Sequence, residues 1–360
     1  MQNKNEASEQ VRRFSIDSIK DNYTKKLLYW FDTNKRSMPW RETSDPYAIW
    51  VSEVMLQQTQ VDTVIPYYLR FMERFPNPKA LAEASLEEVH HYWQGLGYYR
   101  RAENLQKGAK LISEKWGGIM PKEPKEIKEI PGIGPYTLGA ICSIAYHLPL
   151  PAVDGNVMRI LARQFYIQED IGLAKSRKIF EGKVMDLMPN DPNRFNQALM
   201  ELGALVCTPK NPRCMACPLE NLCEAHQRGE EELFPIKRKK IKVIEESYTL
   251  VLLKKGDQFG LERRPSEGLL ANLWGIPMIE DVVWEKYNQS IEIQKELELR
   301  THIFSHRKWN MRPLVIPWNE RGEEQIKEVK TNRSNIDYFT IQEFKGLPIA
   351  TAFKKVLTQL

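Results

Sequence analysis

Several absences narrow the field before any motif is read. No apolar run in this 360-residue chain approaches the ~18 residues that a membrane-spanning helix needs. The first residues are polar and carry no basic, apolar and small-residue leader, so by default a cytoplasmic or nucleoid location with no membrane partner is expected. There is no internal repeat and no low-complexity tract. There is also no large excess of one charge: the formal net charge is +5, too mild to mark a nucleic-acid partner by itself. Cysteine is scarce, with five residues, four of them crowded between Cys207 and Cys223. An odd, clustered set argues against a disulfide framework and for metal ligation. The remaining thiol, Cys142, stands in an apolar helical run and reads as a core residue.

What is present suffices for two or three domains, with 42% apolar residues available for cores. From residue 24 to about 227 the pattern is helix after helix. Asp45-Pro46 and Asp191-Pro192 each place a cap and a first-turn proline before an apolar run. Val61, Val64, Ile65, Tyr68, Leu69, Met72 and Phe75 form a helical stripe. Ser85 and Glu88 make a capping box before a short helix that ends at Gly95-Leu96-Gly97. After Gly229 the character changes. The run from Lys237 to Lys242 is basic and uncapped, and strand-like segments follow at Tyr248–Leu253, Phe259–Arg263 and Arg312–Trp318. The expected organisation is a helical domain over 1–229, a basic linker over 230–244 and an α+β domain over 245–360.

Three short segments carry chemistry. Residues 129–140 read EIPGIGPYTLGA, a Pro-Gly-Ile-Gly turn between two helices over about 124–146. Gly132 and Gly134 permit positive φ and close approach, and the next helix offers free N–H groups and the positive end of its dipole. That is a phosphate clamp indifferent to sequence, or else an ordinary tight turn between helices. Some twenty residues on, Asp154 in PAVDGNVMR starts a helical stripe, either as a plain cap or as a carboxylate facing a bound nucleotide. Glu53, in YAIWVSEVMLQQTQ, has apolar neighbours on both sides. It lies on a solvent face or is buried; if buried, its pKa rises and it can hold a proton near neutral pH. The cysteines are spaced Cys207-x6-Cys214-x2-Cys217-x5-Cys223. Thiolates in such a loop suit zinc or an iron–sulfur cluster, but only one close pair occurs, where structural zinc usually takes two. Lys210 and Arg213 inside the loop are candidates for phosphate contact.

IPGIGPYT followed by VDGNV resembles the helix-hairpin-helix DNA glycosylases, the superfamily of endonuclease III. The resemblance implies that the hairpin holds DNA backbone and that Asp154 stabilises the sugar cation formed when a base leaves. Members with lyase activity carry a lysine two residues beyond the last hairpin glycine; Tyr136 stands there, so an essentially monofunctional enzyme is expected. The run VSEVMLQQTQV is similar to the adenine-specific branch, which removes adenine mispaired with 8-oxoguanine or guanine. On that resemblance Glu53 protonates the purine, and Tyr136 and Asn156 support the reacting sugar. Trp40 and Arg41 match the adenine pocket, Gln58 and Tyr98 match side chains that enter the duplex near the orphaned base, and Thr59 is a further candidate DNA contact. The cysteine spacing matches the superfamily's [4Fe-4S] loop.

The tail, SYTLVLLKKGDQFGLERRPSEGLLANLWGIPM, resembles the opening of a Nudix domain but lacks the dense acidic metal helix over 278–287, so the fold without nucleotide hydrolysis is expected. THIFSHRKW matches the loop that inspects the base opposite adenine, which carries over to Phe304, Ser305 and His306. The expectation is a multidomain, monomeric protein: an all-α helix-hairpin-helix core with an iron–sulfur loop, then an α+β Nudix-like domain, acting on double-stranded DNA. The rivals are a thymine or uracil mismatch glycosylase of the same superfamily, a non-catalytic iron–sulfur DNA-binding protein and a Nudix nucleotide hydrolase.

Overall fold

The computed structural model describes residues 20–238, 243–288, 291–304, 306–332 and 334–360. Ser305 and the lysines of the basic stretch at 239, 240 and 242 lie outside the described residues. By contacts the chain divides into two compact units, Met1–Ala82 with Lys107–Lys240, and Glu83–Gln106 with Ile241–Leu360.

Helices dominate the first part of the chain: α1 (20–34), α2 (Pro46–Leu56), α3 (Val61–Arg74), α4 (Pro78–Glu83), α5 (Leu86–Trp93), α6 (Arg100–Trp116), α7 (Pro124–Ile127), α8 (Pro135–Tyr146), α9 (Gly155–Gln164), α10 (Ala174–Leu187), α11 (Pro192–Leu205) and α12 (Glu224–Gln227). α2 starts where Asp45 accepts from the Tyr47 amide and Pro46 fills the first turn. It is apolar on every side and its residues from Tyr47 to Met55 are all buried, as a central helix must be. In α3 the stripe is narrower than the sequence suggests. Val64, Tyr68 and Phe71 are buried at helical spacing, while Leu69 is 52% exposed. Seven apolar residues over fifteen positions straddle two faces, and only one of them meets the core. Packing of this unit runs on past Gly229: Phe234 is buried in its core and Ile236 packs against it.

α9 and α11 cross close to the start of α9. A Cβ added at Gly203 would lie 2.6 Å from that of Asn156, so only glycine lets α11 approach there. This crossing fixes the end of α9 that carries Asp154.

The second unit is built on one mixed sheet: β1 (Ile244–Lys255), β2 (Gln258–Arg263), β3 (Trp274–Gly275), β4 (Met278–Glu280), β5 (Lys295–Glu296), β6 (Arg300–Ile303), β7 (Arg307–Pro317) and β8 (Ile336–Thr340). The main order is β3-β2-β1-β7-β5, with β4 on β1, β6 on β7 and β8 on β2. β1 and β7 run parallel, from Ile244 opposite Arg307 to Lys254 opposite Pro317; their other pairings are antiparallel. Alternate residues of β1 and β7, Val251, Leu253, Leu314 and Ile316, pack with Trp284 of α13 (Asp281–Tyr287) and Ile326 of α14 (Glu320–Val329). On the opposite face Phe353 of α15 (Thr351–Leu357) lies beside Trp309 and against Gly275.

Candidate active site and iron–sulfur loop

A cavity of about 400 Å³ in the helical unit gathers the residues expected for the chemistry and the adenine pocket, together with Thr59: Trp40, Arg41, Glu53, Thr59, Tyr136, Asp154 and Asn156 all line it. Glu53 projects from α2 and is only 6% exposed. The Tyr136 hydroxyl donates to its Oε2 at 2.6 Å. Burial pushes the Glu53 carboxyl up to about 7; the Tyr136 hydrogen bond pulls it down, and the charge of Asp154 adds to the rise. Asp154 is in a different environment. It caps α9, accepting from the Val157 amide at 2.8 Å and from Asn156 Nδ2 at 2.8 Å. Burial lifts its carboxyl above the ordinary aspartate value, and those donors oppose the rise by favouring the ionised form. Capping and facing the cavity are therefore not alternatives, since Asp154 does both.

The hairpin separates the roles of its glycines. Gly132 has φ +85°, which an L side chain rarely adopts. Gly134 is extended, at φ −89° and ψ 177°, and caps α8 with open space around its α-carbon. Neither its dihedral angles nor a packed neighbour requires glycine at this position. Gln58 and Tyr98 both have left-handed backbones, at φ 59° and 48°. Non-glycine residues held in that region cluster at functional sites. Gln58 is exposed just after α2, and Tyr98 is half-exposed in the second unit. In that unit Phe304 packs edge-on against Trp309 and His302, and its amide bonds to the Arg307 carbonyl at the tip of the β6–β7 hairpin, beside exposed His306.

Several cavity residues escaped the sequence reading. Glu201 of α11 is buried and takes hydrogen bonds from Arg36 Nε at 2.9 Å and Arg41 Nη2 at 3.0 Å. Burial raises its carboxyl, but the Arg36 and Arg41 bonds outweigh this and hold it at about 2. Arg41 also donates to Gln197 Oε1 at 3.1 Å. The signal for Glu201 was the one that marked Glu53: an acid within an apolar helix, here in ALMELGAL.

The four cluster cysteines line a small cavity together with Arg163, His226 and Glu231. They are free thiols, and Arg163 Nη1 lies 3.3 Å from Cys207 Sγ. The amides of Leu219 and Ala225 face the sulfurs of Cys217 and Cys223. Burial pushes the Cys217 thiol up to about 12, so a thiolate there calls for a bound cation, and the donors around it fit sulfur ligands of an iron–sulfur group. Lys210 and Arg213 are exposed within this loop.

Comparison with known proteins agrees with this geometry. Residues 51–188 match the HhH-GPD superfamily of base excision DNA repair proteins, 207–223 the iron–sulfur binding domain of endonuclease III, and 248–359 the NUDIX domain. The adenine DNA glycosylase of Homo sapiens is 37% identical, over 92% of this chain and 72% of the human one. The chain belongs to the adenine DNA glycosylases. A relative of the same name from Buchnera aphidicola (strain Sg) is 35% identical, over 82% of this chain and 87% of that protein. A thermostable thymine-DNA glycosylase is similar in structure, with a TM-score of 0.54 and 27% identity, covering 59% of this chain and 98% of that one. The glycosylase hydrolyses the N-glycosidic bond of adenine in DNA, and its cysteine loop is an iron–sulfur binding segment. No helix among the described residues is long and apolar enough to cross a membrane.

Proposed function

We propose that this glycosylase, acting as a monomer, removes adenine paired with 8-oxoguanine or guanine from double-stranded DNA and leaves an abasic site. One observation carries the reading: two carboxylates in unlike environments share a single cavity. Protonated Glu53, bonded to Tyr136, has the pKa that a general acid needs near neutral pH. It gives its proton to N7 of a flipped adenine, held beside Trp40 and Arg41. The C1′–N9 bond then breaks and the pair of electrons leaves with the base. Asp154, whose amide and Asn156 donors favour the anion, faces the positive sugar until water adds at C1′. Tyr136 stands where a lyase carries an amine, and a buried phenol held by Glu53 forms no Schiff base, which supports a monofunctional enzyme.

Gly132 and Gly134 clamp the DNA backbone. Gln58 and Tyr98 enter the duplex beside the base opposite adenine, Thr59 contacts the DNA, and Phe304, Ser305 and His306 inspect the opposite base. Cys207, Cys214, Cys217 and Cys223 hold a [4Fe-4S] cluster, which would lock the 207–223 loop against α9. The helical part to about residue 229 carries the chemistry, and 245–360 the inspection, across a basic linker.

The test is base release from duplexes carrying A:8-oxoguanine, A:G, T:G or U:G. Adenine release fastest opposite 8-oxoguanine supports the reading. Release of thymine or uracil instead of adenine contradicts it.

A further inference from the structure

Tyr98 sits in a loop whose own residues hold it tightly. Trp93 Nε1 donates to the Gly97 carbonyl at 3.1 Å, and Arg101 Nη2 donates to the carbonyls of Leu96 and Gly97, each at 3.1 Å. The Arg101 guanidinium lies over both the Trp93 ring and the Tyr98 ring, at 5.3 and 5.7 Å. Gln106 Nε2 of α6 donates to the Ala84 carbonyl, just ahead of the N-cap of α5, at 2.7 Å.

Residues Glu83–Gln106, which hold α5, the loop and the start of α6, belong by contacts to the unit built on the sheet, and two side-chain bonds tie them there. Gln94, the residue that ends α5, donates from Nε2 to the Leu347 carbonyl at 2.8 Å. Glu103, in the first turn of α6, accepts from Asn272 Nδ2 at 3.1 Å through Oε1, and the same oxygen lies 3.6 Å from His90 Nε2. Asn272 is itself presented by a constrained loop: its φ is +60°, and its amide bonds to the Pro265 carbonyl at 3.0 Å. So the loop carrying Tyr98 has a strut at each end, four residues before Tyr98 and five after, and both reach the Nudix-like part of the chain.

We propose that Gln94, Glu103 and Asn272 are positioning residues for the choice of opposite base. Through them the Nudix-like part sets where Tyr98 stands, in addition to supplying the Phe304–His306 loop. The inference rests on the reading of Tyr98 as a duplex contact. It makes the preference for 8-oxoguanine depend on residues that touch neither the base nor the adenine pocket.

Asn272→Asp sets a carboxylate against Glu103. Adding Glu103→Gln reverses donor and acceptor and rebuilds the bond. The readout is the single-turnover rate of adenine release opposite 8-oxoguanine divided by that opposite guanine, in the full-length protein with its cluster. The expected result is a fall in this ratio of at least about threefold for Asn272→Asp, a change typical of one coupled contact. The release rate opposite guanine should stay unchanged, and Asn272→Asp/Glu103→Gln should recover the ratio. Gln94→Ala should lower it in the same way, and Asn272→Asp should add nothing to Tyr98→Ala. If Tyr98→Ala loses the preference while Asn272→Asp and Gln94→Ala keep it, the struts do not act on specificity and the inference is overturned. If Tyr98→Ala itself keeps the preference, the underlying reading of Tyr98 fails instead.

Discussion

Arg159 Nε donates to the backbone carbonyl of Cys207 at 2.7 Å. The same guanidinium bonds through Nη2 to Asn156 Oδ1 at 2.8 Å and to the Gly203 carbonyl at 2.9 Å, and Asn156 in turn holds Asp154. A largely shielded chain of hydrogen bonds, centred on buried Arg159, thus runs from the carboxylate in the cavity to the first residue of the iron–sulfur loop. Removing its centre strands several polar atoms at once, each at roughly 1–3 kcal/mol. Arg159→Ala should lower adenine release at least about tenfold, equal to about 1.4 kcal/mol, and should also lower the iron content per chain. Wild-type rates with a full iron complement would show that the chain of bonds positions nothing.

Glu201 neutralises two arginines at the cavity wall. Its side chain is 2% exposed and that of Arg41 12%. Glu201→Ala leaves a buried guanidinium without its partner, a change that costs roughly 3–5 kcal/mol. Urea denaturation should therefore show a large loss of stability, with Glu201→Gln losing less because it keeps an acceptor. A change below about 1 kcal/mol for the alanine variant would mean that water replaces the carboxylate freely.

Glu53 should make stability depend on pH in a defined direction. Its folded pKa of about 7 lies above the ordinary 4.5, so the folded state binds the proton more tightly than the unfolded one. That contribution is fully present below pH 4.5 and is lost as pH rises through 7. Glu53→Gln, which carries no charge at any pH, should unfold like the wild type at pH 4.5 and be more stable at pH 8, by on the order of 3 kcal/mol. Equal stability of the two proteins at pH 8 would indicate that Glu53 is solvated rather than buried.

The phenol of Tyr136 acts on the same titration. Its hydrogen bond lowers the Glu53 carboxyl against the pull of burial. Tyr136→Phe should therefore move the alkaline limb of the adenine-release profile to higher pH, whatever it does to the maximum rate. A limb that moves to lower pH, or stays in place, contradicts the coupling of the two groups.

The fold was legible wherever local signals and the core agree. Asp45-Pro46 and Asp191-Pro192 start helices in the structure as their caps require, and the run at Tyr248 is the central strand β1. Stripe width was less legible, because only tertiary packing decides that Val64, Tyr68 and Phe71 turn inward while Leu69 does not. Seven residues singled out in the sequence line one cavity, but the electrostatics of that cavity were not legible. Glu53 and Glu201 carry the same sequence signal and end at opposite extremes, about 7 and about 2. Burial raises both carboxyls; two guanidinium groups outweigh it at Glu201, whereas at Glu53 a phenol opposes it only in part, and these partners come from segments up to 165 residues away. The attachment of the Tyr98 loop through Gln94 and Glu103 left no trace in the sequence, since hydrogen bonds between distant loops have no periodicity.

The central claim is that Glu53 delivers the proton that frees adenine. Its most direct test is the single-turnover rate of adenine release from an A:8-oxoguanine duplex between pH 5 and 9, for the wild type and Glu53→Gln. The wild-type rate should fall as pH rises past about 7, and Glu53→Gln should bind the duplex yet release almost no adenine at any pH. A wild-type rate that is flat across this range, together with adenine release by Glu53→Gln, would contradict the account.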